Sequence, residues 1–186
     1  YLNELTGTVT ISGNITSYNP WYGIYLGIIT EATVAIGGED ESAGNTITGN
    51  IYEGLYISSV DDDSTVTVQN NTIDENNTSE NSDTGGIYLG PVNQSISTVN
   101  VYDNSISGNT GRGFYVNLVQ DSTLNISGNI VNNNTTQGIY IDQASGSEIT
   151  IGEGNTISGH SDAGIYLNSV SGVNITGNNI QNNGVE

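Results

Sequence analysis

The side chains able to do acid, base or metal chemistry are few. The chain has one Arg (Arg112), one His (His160), no Lys and no Cys. Arg112 lies in Gly111-Arg112-Gly113, and His160 lies in Gly159-His160-Ser161. Abstracting a proton beside a carboxylate needs a base and a cation, and Arg112 is the sole permanent cation on offer. Asp61, Asp62 and Asp63 could share acid/base work or donate oxygens to a metal ion. Such a run in a turn is more ordinarily a solvated face. With one His and no nucleophile-elbow sequence, no Ser-His-Asp arrangement can be assembled. Absent Cys removes disulfides, thiolate metal sites and Cys nucleophiles.

Aromatic chemistry is better supplied. The segment Gly-apolar-Tyr-apolar occurs six times, at Gly23–Leu26, Gly54–Ile57, Gly86–Leu89, Gly113–Val116, Gly138–Ile141 and Gly164–Leu167. Each Tyr sits between two apolar residues, so alternation puts Tyr25, Tyr56, Tyr88, Tyr115, Tyr140 and Tyr166 on the outside of a strand. Trp21 and Tyr22 precede the first copy and extend the patch.

The elements that hold these residues are themselves repeats. The pattern Asn-x-apolar-x-x-Asn appears at Asn45–Asn50, Asn71–Asn76, Asn104–Asn109, Asn129–Asn134 and Asn178–Asn183. It returns as Asn155–His160, and with Thr16 in the apolar slot as Asn14–Asn19. An apolar-x-apolar pair comes before it, from Val9/Ile11 through Val34/Ile36, Val66/Val68, Val99/Val101, Leu124/Ile126 and Ile149/Ile151 to Val173/Ile175. The period is about 25 residues where nothing is inserted, and Gly37–Gly44 and Asn77–Gly85 read as insertions. Short alternating β-branched segments punctuated by Gly, Asn, Ser and Asp read as strands and turns. One repeat cannot bury its apolar face alone. The expected fold is therefore an all-β parallel solenoid of about seven coils, each of three short strands, spanning residues 1–186 as a single domain. Strands about 4.8 Å apart give a rod roughly 30–35 Å long. The two Asn columns fit coil-to-coil hydrogen bonding and turn capping, since Asn also tolerates the left-handed conformation.

The strings Asn104-Ser-Ile-Ser-Gly-Asn109 followed by Gly113-Phe-Tyr-Val116, and Asn155-Thr-Ile-Ser-Gly-His160 followed by Gly164-Ile-Tyr-Leu167, resemble the repeats of right-handed parallel β-helix proteins. These are the pectate-lyase-like and NosD-like superfamily and its surface-protein members. The resemblance runs from about Thr8 to Asn183 and implies a right-handed β-helix. It is unspecific for function, because that superfamily holds lyases, hydrolases, epimerases, tailspikes, adhesins and structural surface proteins. Its lyases use Asp-bound calcium and a basic residue, and its hydrolases use clustered Asp with a Gly-His-Gly turn. Here Arg112 stands alone, and His160 falls in the second Asn column.

Charge narrows the partners. Twenty acids against one Arg give a formal charge of −19. Such a surface has no cations to displace the counterions of a nucleic acid, and anionic headgroups repel it. No apolar run approaches the roughly 18 residues of a spanning helix. No cofactor is required by any motif. Calcium is the cation that the turns Gly37–Ser42 and Asp61–Asp63 would suit, although neither matches an EF-hand, and diffuse relief of self-repulsion is the simpler expectation. Nine Asn-x-Ser/Thr sequons, at Asn14, Asn70, Asn76, Asn77, Asn93, Asn125, Asn133, Asn134 and Asn174, are glycosylation candidates if the chain is exported by an organism that glycosylates Asn. The chain has no Met and begins Tyr1-Leu2-Asn3, which reads as a processed form or a piece of something longer. The repeat also starts near Tyr1 and still runs near Glu186, so the rod is expected to be cut from a longer one, covered by other domains, or stacked end to end.

The functional expectation is a non-enzymatic structural or adhesive module of an extracellular or cell-surface protein, or of a self-assembling filament. Its partners would be copies of itself, neighbouring domains or a polysaccharide. The alternative is a carbohydrate-binding or polysaccharide-cleaving domain with sugar rings against the tyrosines.

Overall fold

The computed structural model describes residues 1–79, 84–93 and 96–184, and positions 80–83 of the second insertion lie outside it. In chain order the strands are β1 (Leu2–Ile11), β2 (Ile15–Ser17), β3 (Ile24–Gly37), β4 (Thr46–Thr48), β5 (Leu55–Asp61), β6 (Thr65–Gln69), β7 (Thr72–Asp74), β8 (Thr84–Leu89), β9 (Thr98–Tyr102), β10 (Ser105–Ser107), β11 (Arg112–Gln120), β12 (Thr123–Ser127), β13 (Ile130–Asn132), β14 (Ile139–Ser145), β15 (Glu148–Ile151), β16 (Thr156–Ser158), β17 (Ile165–Val170), β18 (Val173–Ile175) and β19 (Asn179–Gln181). A single 3₁₀ turn, Glu41–Ala43, sits in the first insertion. Among the described residues no helix is long and apolar enough to cross a membrane.

Each strand pairs in parallel with the equivalent strands of the coils beside it. Ile47, Ile73, Ile106, Val131, Ile157 and Ile180 fall in one register column. The tyrosines from Tyr25 to Tyr166 form another. The middle strands make a seven-stranded sheet, β19-β16-β13-β10-β7-β4-β2. The remaining twelve strands belong to one sheet, in which the coils from β5 onward keep the expected three short strands and an earlier one merges two of them. The merged strand is β3, which runs unbroken round a corner at Glu31. There φ is +47°, and the Glu31 N–H still reaches the Asp62 carbonyl at 2.9 Å, so the ladder is never interrupted.

The apolar slots point inward as alternation requires. Ile47, Ile73, Ile106, Leu124, Ile139, Ile149 and Ile157 are fully buried, whereas Ile165, Leu167 and Val173 are half-buried in the last described coil. A further inward column has no counterpart in the expectation. It comprises Leu5, Ile29, Val60, Val92, Val119, Ala144 and Val170. Each lies three residues after the last apolar residue of the Tyr segment, where the corner breaks the period of two.

The left-handed turn residues stand one position before the ladder Asn, not at it. Before the second ladder they are Tyr18, Gly49, Glu75, Gly108, Asn133, Gly159 and Asn182. These alternate side chain and glycine because each side chain folds over the glycine of the next coil. A Cβ on Gly49 would meet the Tyr18 ring, and one on Gly159 would collide with the Asn133 amide. A third corner carries hydroxyls: the Ser64 N–H reaches Ser97 Oγ at 3.3 Å and the Ala32 N–H reaches Ser64 Oγ at 3.2 Å.

If stacking of the inner column supplies the stability, Ile106→Ala should cost about 2–5 kcal/mol. Ile130→Ala, on an outward position 47% exposed, should stay within about 0.5 kcal/mol. Urea unfolding of both variants measures the contrast, and equal losses would contradict it.

Candidate functional site

Two ladders of side-chain amides run the length of the rod. In the first, Asn14, Asn45, Asn71, Asn104, Asn129 and Asn155 each donate from Nδ2 to the Oδ1 of the next coil's Asn, ending on Asn178, at 2.7–3.1 Å. The second links Asn19, Asn50, Asn76, Asn109 and Asn134 in the same way at 2.8–3.1 Å. Between the ends of the ladders each Oδ1 also accepts a backbone N–H, as Asn104 does from Asn71 at 2.9 Å. There each Nδ2 also reaches a carbonyl in the coil before, as Asn71 does at Ile36, 2.9 Å away. An amide suits this place because it carries two donors beside an acceptor with two lone pairs.

His160 continues the second ladder with an imidazole. Nδ1 stands 3.2 Å from the Asn134 N–H and takes the part of Oδ1. Nε2 lies 3.0 Å from the Val131 carbonyl and takes the part of the amide N–H. The neutral Nε2–H tautomer satisfies both contacts. Burial, with 3% of the residue exposed, pushes its pKa below the usual 6.5, partly opposed by the two backbone hydrogen bonds.

The tyrosine column is a stack. Centroids along Tyr1, Tyr25, Tyr56, Tyr88, Tyr115, Tyr140 and Tyr166 are 4.2–5.5 Å apart. From Tyr1 to Tyr88 neighbouring planes lie within 6°. The rings therefore cover one another's faces and show edges and hydroxyls to solvent. That corrects the picture of sugars lying flat on each phenol, since the inner rings have no open face. Tyr1 also belongs to the column, although only the Tyr-apolar half of the motif is present there. Burial and the neighbouring Tyr88 push the Tyr56 phenol far above its ordinary value of 10. Burial raises Tyr22, Tyr88 and Tyr140 as well.

Gly111 and Gly113 on either side would suit an exposed turn residue, but Arg112 is not one. It opens β11, half-buried, with its guanidinium carbon 4.0 Å from the Tyr140 centroid and 5.1 Å from that of Tyr115. Its Nε donates to Gln137 Oε1 at 2.9 Å, and Gln137 in turn donates to Asp162 at 3.0 Å. The planes on either side of Tyr115 open to 29° and 31° where the guanidinium packs. At the first coils a side cluster joins the column: Trp21 on Tyr52 at 5.3 Å, and Tyr22 against Tyr25, Tyr52 and Tyr56 at 4.8–5.5 Å.

The three acids do not converge. Ser59 Oγ donates to Asp61 at 3.0 Å and Thr30 Oγ1 to Asp62 at 3.2 Å, while Asp62 and Asp63 are exposed at left-handed positions. Among the described residues no three acid or imidazole groups gather as a metal site. Neighbours also sort the sequons. Asn76, Asn77 and Asn134 are buried, with Nδ2 donating to carbonyls, and no glycan fits there on the folded rod. Nδ2 of Asn14, Asn70 and Asn125 is likewise hydrogen-bonded. Asn93 is half-buried, and Asn133 and Asn174 are exposed.

The sequence matches, over residues 2–180, the family model described as right handed beta helix region. Comparison with curated proteins and with solved structures finds no match.

Two titrations follow. A His160 pKa lowered by folding means that the unfolded chain binds its proton first, so stability is lost as pH falls through about 6.5. His160→Asn should remove that loss, and its unfolding free energy between about pH 7 and pH 5 should fall less than that of the parent chain. Tyrosines raised by folding act on the other side. Their contribution to stability should be flat below about pH 10 and be lost above it as unfolded phenols ionise first. Tyr56→Phe should blunt that alkaline loss in a thermal-melting series.

Proposed function

The chain belongs to the right-handed β-helix family, and we propose that it serves as a non-enzymatic structural and adhesive rod of an extracellular surface protein or self-assembling filament. The observation that carries this reading is where the repeated side chains spend their bonding. Both amide ladders and the tyrosine stack join a coil to its own neighbours. A rod built this way resists bending and shear along its axis, which suits a spacer or support. Residues that might have done chemistry are also occupied structurally. Arg112 packs on Tyr115 and Tyr140, and His160 is a ladder rung. The acidic surface without Lys supports solubility and keeps anionic polymers away.

Carbohydrate binding is the second reading, and one place favours it. Trp21 is 64% exposed and has one face on Tyr52. Beside it a cavity of about 520 Å³ is lined by Tyr1, Ser17, Asn19, Trp21 and Tyr22 among others. A neutral saccharide fits that mixture of rings and amides, since a surface of charge −19 repels an acidic one.

Electron microscopy with light scattering at micromolar concentration, with and without calcium, tests the leading reading. Regular rods or filaments are expected, with no turnover of polysaccharides. A monodisperse monomer in both conditions overturns self-assembly. Polysaccharide cleavage that disappears in Arg112→Gln overturns the non-enzymatic reading. Neutral oligosaccharides that shift the fluorescence of Trp21, the sole Trp, would move the assignment to the second.

A further inference from the structure

Ten aromatic rings form one connected network. Trp21 touches Tyr52 at 5.3 Å, Tyr52 touches Tyr22 at 5.5 Å, Tyr22 touches Tyr56 at 4.8 Å, and Tyr56 touches Tyr88 at 4.5 Å. Tyr22 also meets Tyr25, which carries Tyr1. Every step is a ring-to-ring contact, with no aliphatic gap. The Tyr56 and Tyr88 rings are stacked within 6° of parallel. None of this is needed to close a coil, because the flanking apolar residues and the ladders already do so.

From this geometry we infer that the network conducts a one-electron oxidation from Trp21 through Tyr52 and Tyr22 into the stacked pairs Tyr56–Tyr88 and Tyr25–Tyr1. The inference goes beyond the structural role and does not depend on it. A one-electron oxidant of the peroxyl or azide-radical class takes an electron from the Trp21 indole, whose N–H proton goes to water, leaving a neutral indolyl radical. The Tyr52 phenol then gives up one electron to the indole and its O–H proton to water, while the indole nitrogen regains a proton. Tyr52 is left as a phenoxyl radical. Tyr22 and then Tyr56 repeat the exchange, each reducing the ring before it and losing one proton. Tyr88 exchanges with Tyr56 in the same way, losing its O–H proton to water while the Tyr56 oxygen regains one.

Two features end the journey there. The stacked, near-parallel Tyr56–Tyr88 rings share the unpaired electron over both π-systems, as do the Tyr25–Tyr1 rings that Tyr22 also reaches. Beyond them the Arg112 guanidinium lies against Tyr115 and Tyr140, where it opposes positive charge developing on a ring. Tyr18 offers an internal control. It is 77% exposed and, among the described residues, stands outside the ring network.

Pulse radiolysis with azide radical, which attacks Trp in preference to Tyr near neutral pH, tests this on the intact chain. The indolyl radical should decay into phenoxyl radical by a first-order process independent of protein concentration. In the double variant Tyr22→Phe/Tyr52→Phe, which keeps both rings but removes the oxidisable phenols, that step should slow by an order of magnitude or more. Mass spectrometry of radical-trap adducts should find them on Tyr56, Tyr88, Tyr25 or Tyr1 and not on Tyr18. A decay rate that scales with concentration, an unchanged rate in the double variant, or adducts centred on Tyr18 would each overturn the inference. Circular dichroism of the double variant separates lost transfer from lost fold.

Discussion

Everything in this molecule hangs on an amide meeting an identical amide one coil away. A side chain stacked on its own copy must be both donor and acceptor along the same direction, or the column fails. Asn meets that condition with the shortest side chain able to do so. Asp would place like charges a strand's spacing apart, and Leu would leave the corner's backbone groups unpaired in the interior. The rungs at Asn104 and Asn109 also bind backbone atoms of the coil before, while their own backbone N–H and Nδ2 groups donate to the Asn of the coil after. They therefore fix the register of three successive coils at once. The inward Ile and Val columns then stack because the amides have already decided which residue lies over which.

His160 shows how far the condition can be relaxed. The imidazole keeps an acceptor and a donor at about the separation the amide provided, so the backbone contacts survive. What changes is that this rung can take up a proton. The tyrosine column obeys a looser version of the same rule. A phenol ring is content against another ring, so identity from coil to coil is favoured without being required. The contrast explains why the ladders tolerate one substitution with matching chemistry, while the positions around the tyrosines vary from Glu53 to Gln137 without disturbing the coil.

Much of this was legible from periodicity. The apolar slots, both Asn columns and the outward tyrosines follow from a repeat of three short segments, since translation along the axis copies every contact. What escaped notice lies where the period of two fails. The column from Leu5 to Val170 sits past a corner, at an offset of three, and alternation cannot reach it; the constancy of that offset was the missed signal. The sequence pattern placed the tyrosines outside, yet could not say whether faces or edges met solvent, because that depends on side-chain rotation. Arg112 was misjudged for a related reason. Its partners Tyr140 and Gln137 are one coil away, 28 and 25 residues on in sequence, so local context reported only the glycines beside it.

The alternation before the second ladder has a consequence for the length of the rod. Tyr18, Glu75, Asn133 and Asn182 take turns with Gly49, Gly108 and Gly159, so neighbouring coils along this edge are not interchangeable. The unit that repeats faithfully there is a pair of coils. Duplicating or deleting one coil would set two bulky residues, or two bare backbones, against each other. Along this edge, adding or removing an even number of coils keeps the alternation, and an odd number breaks it.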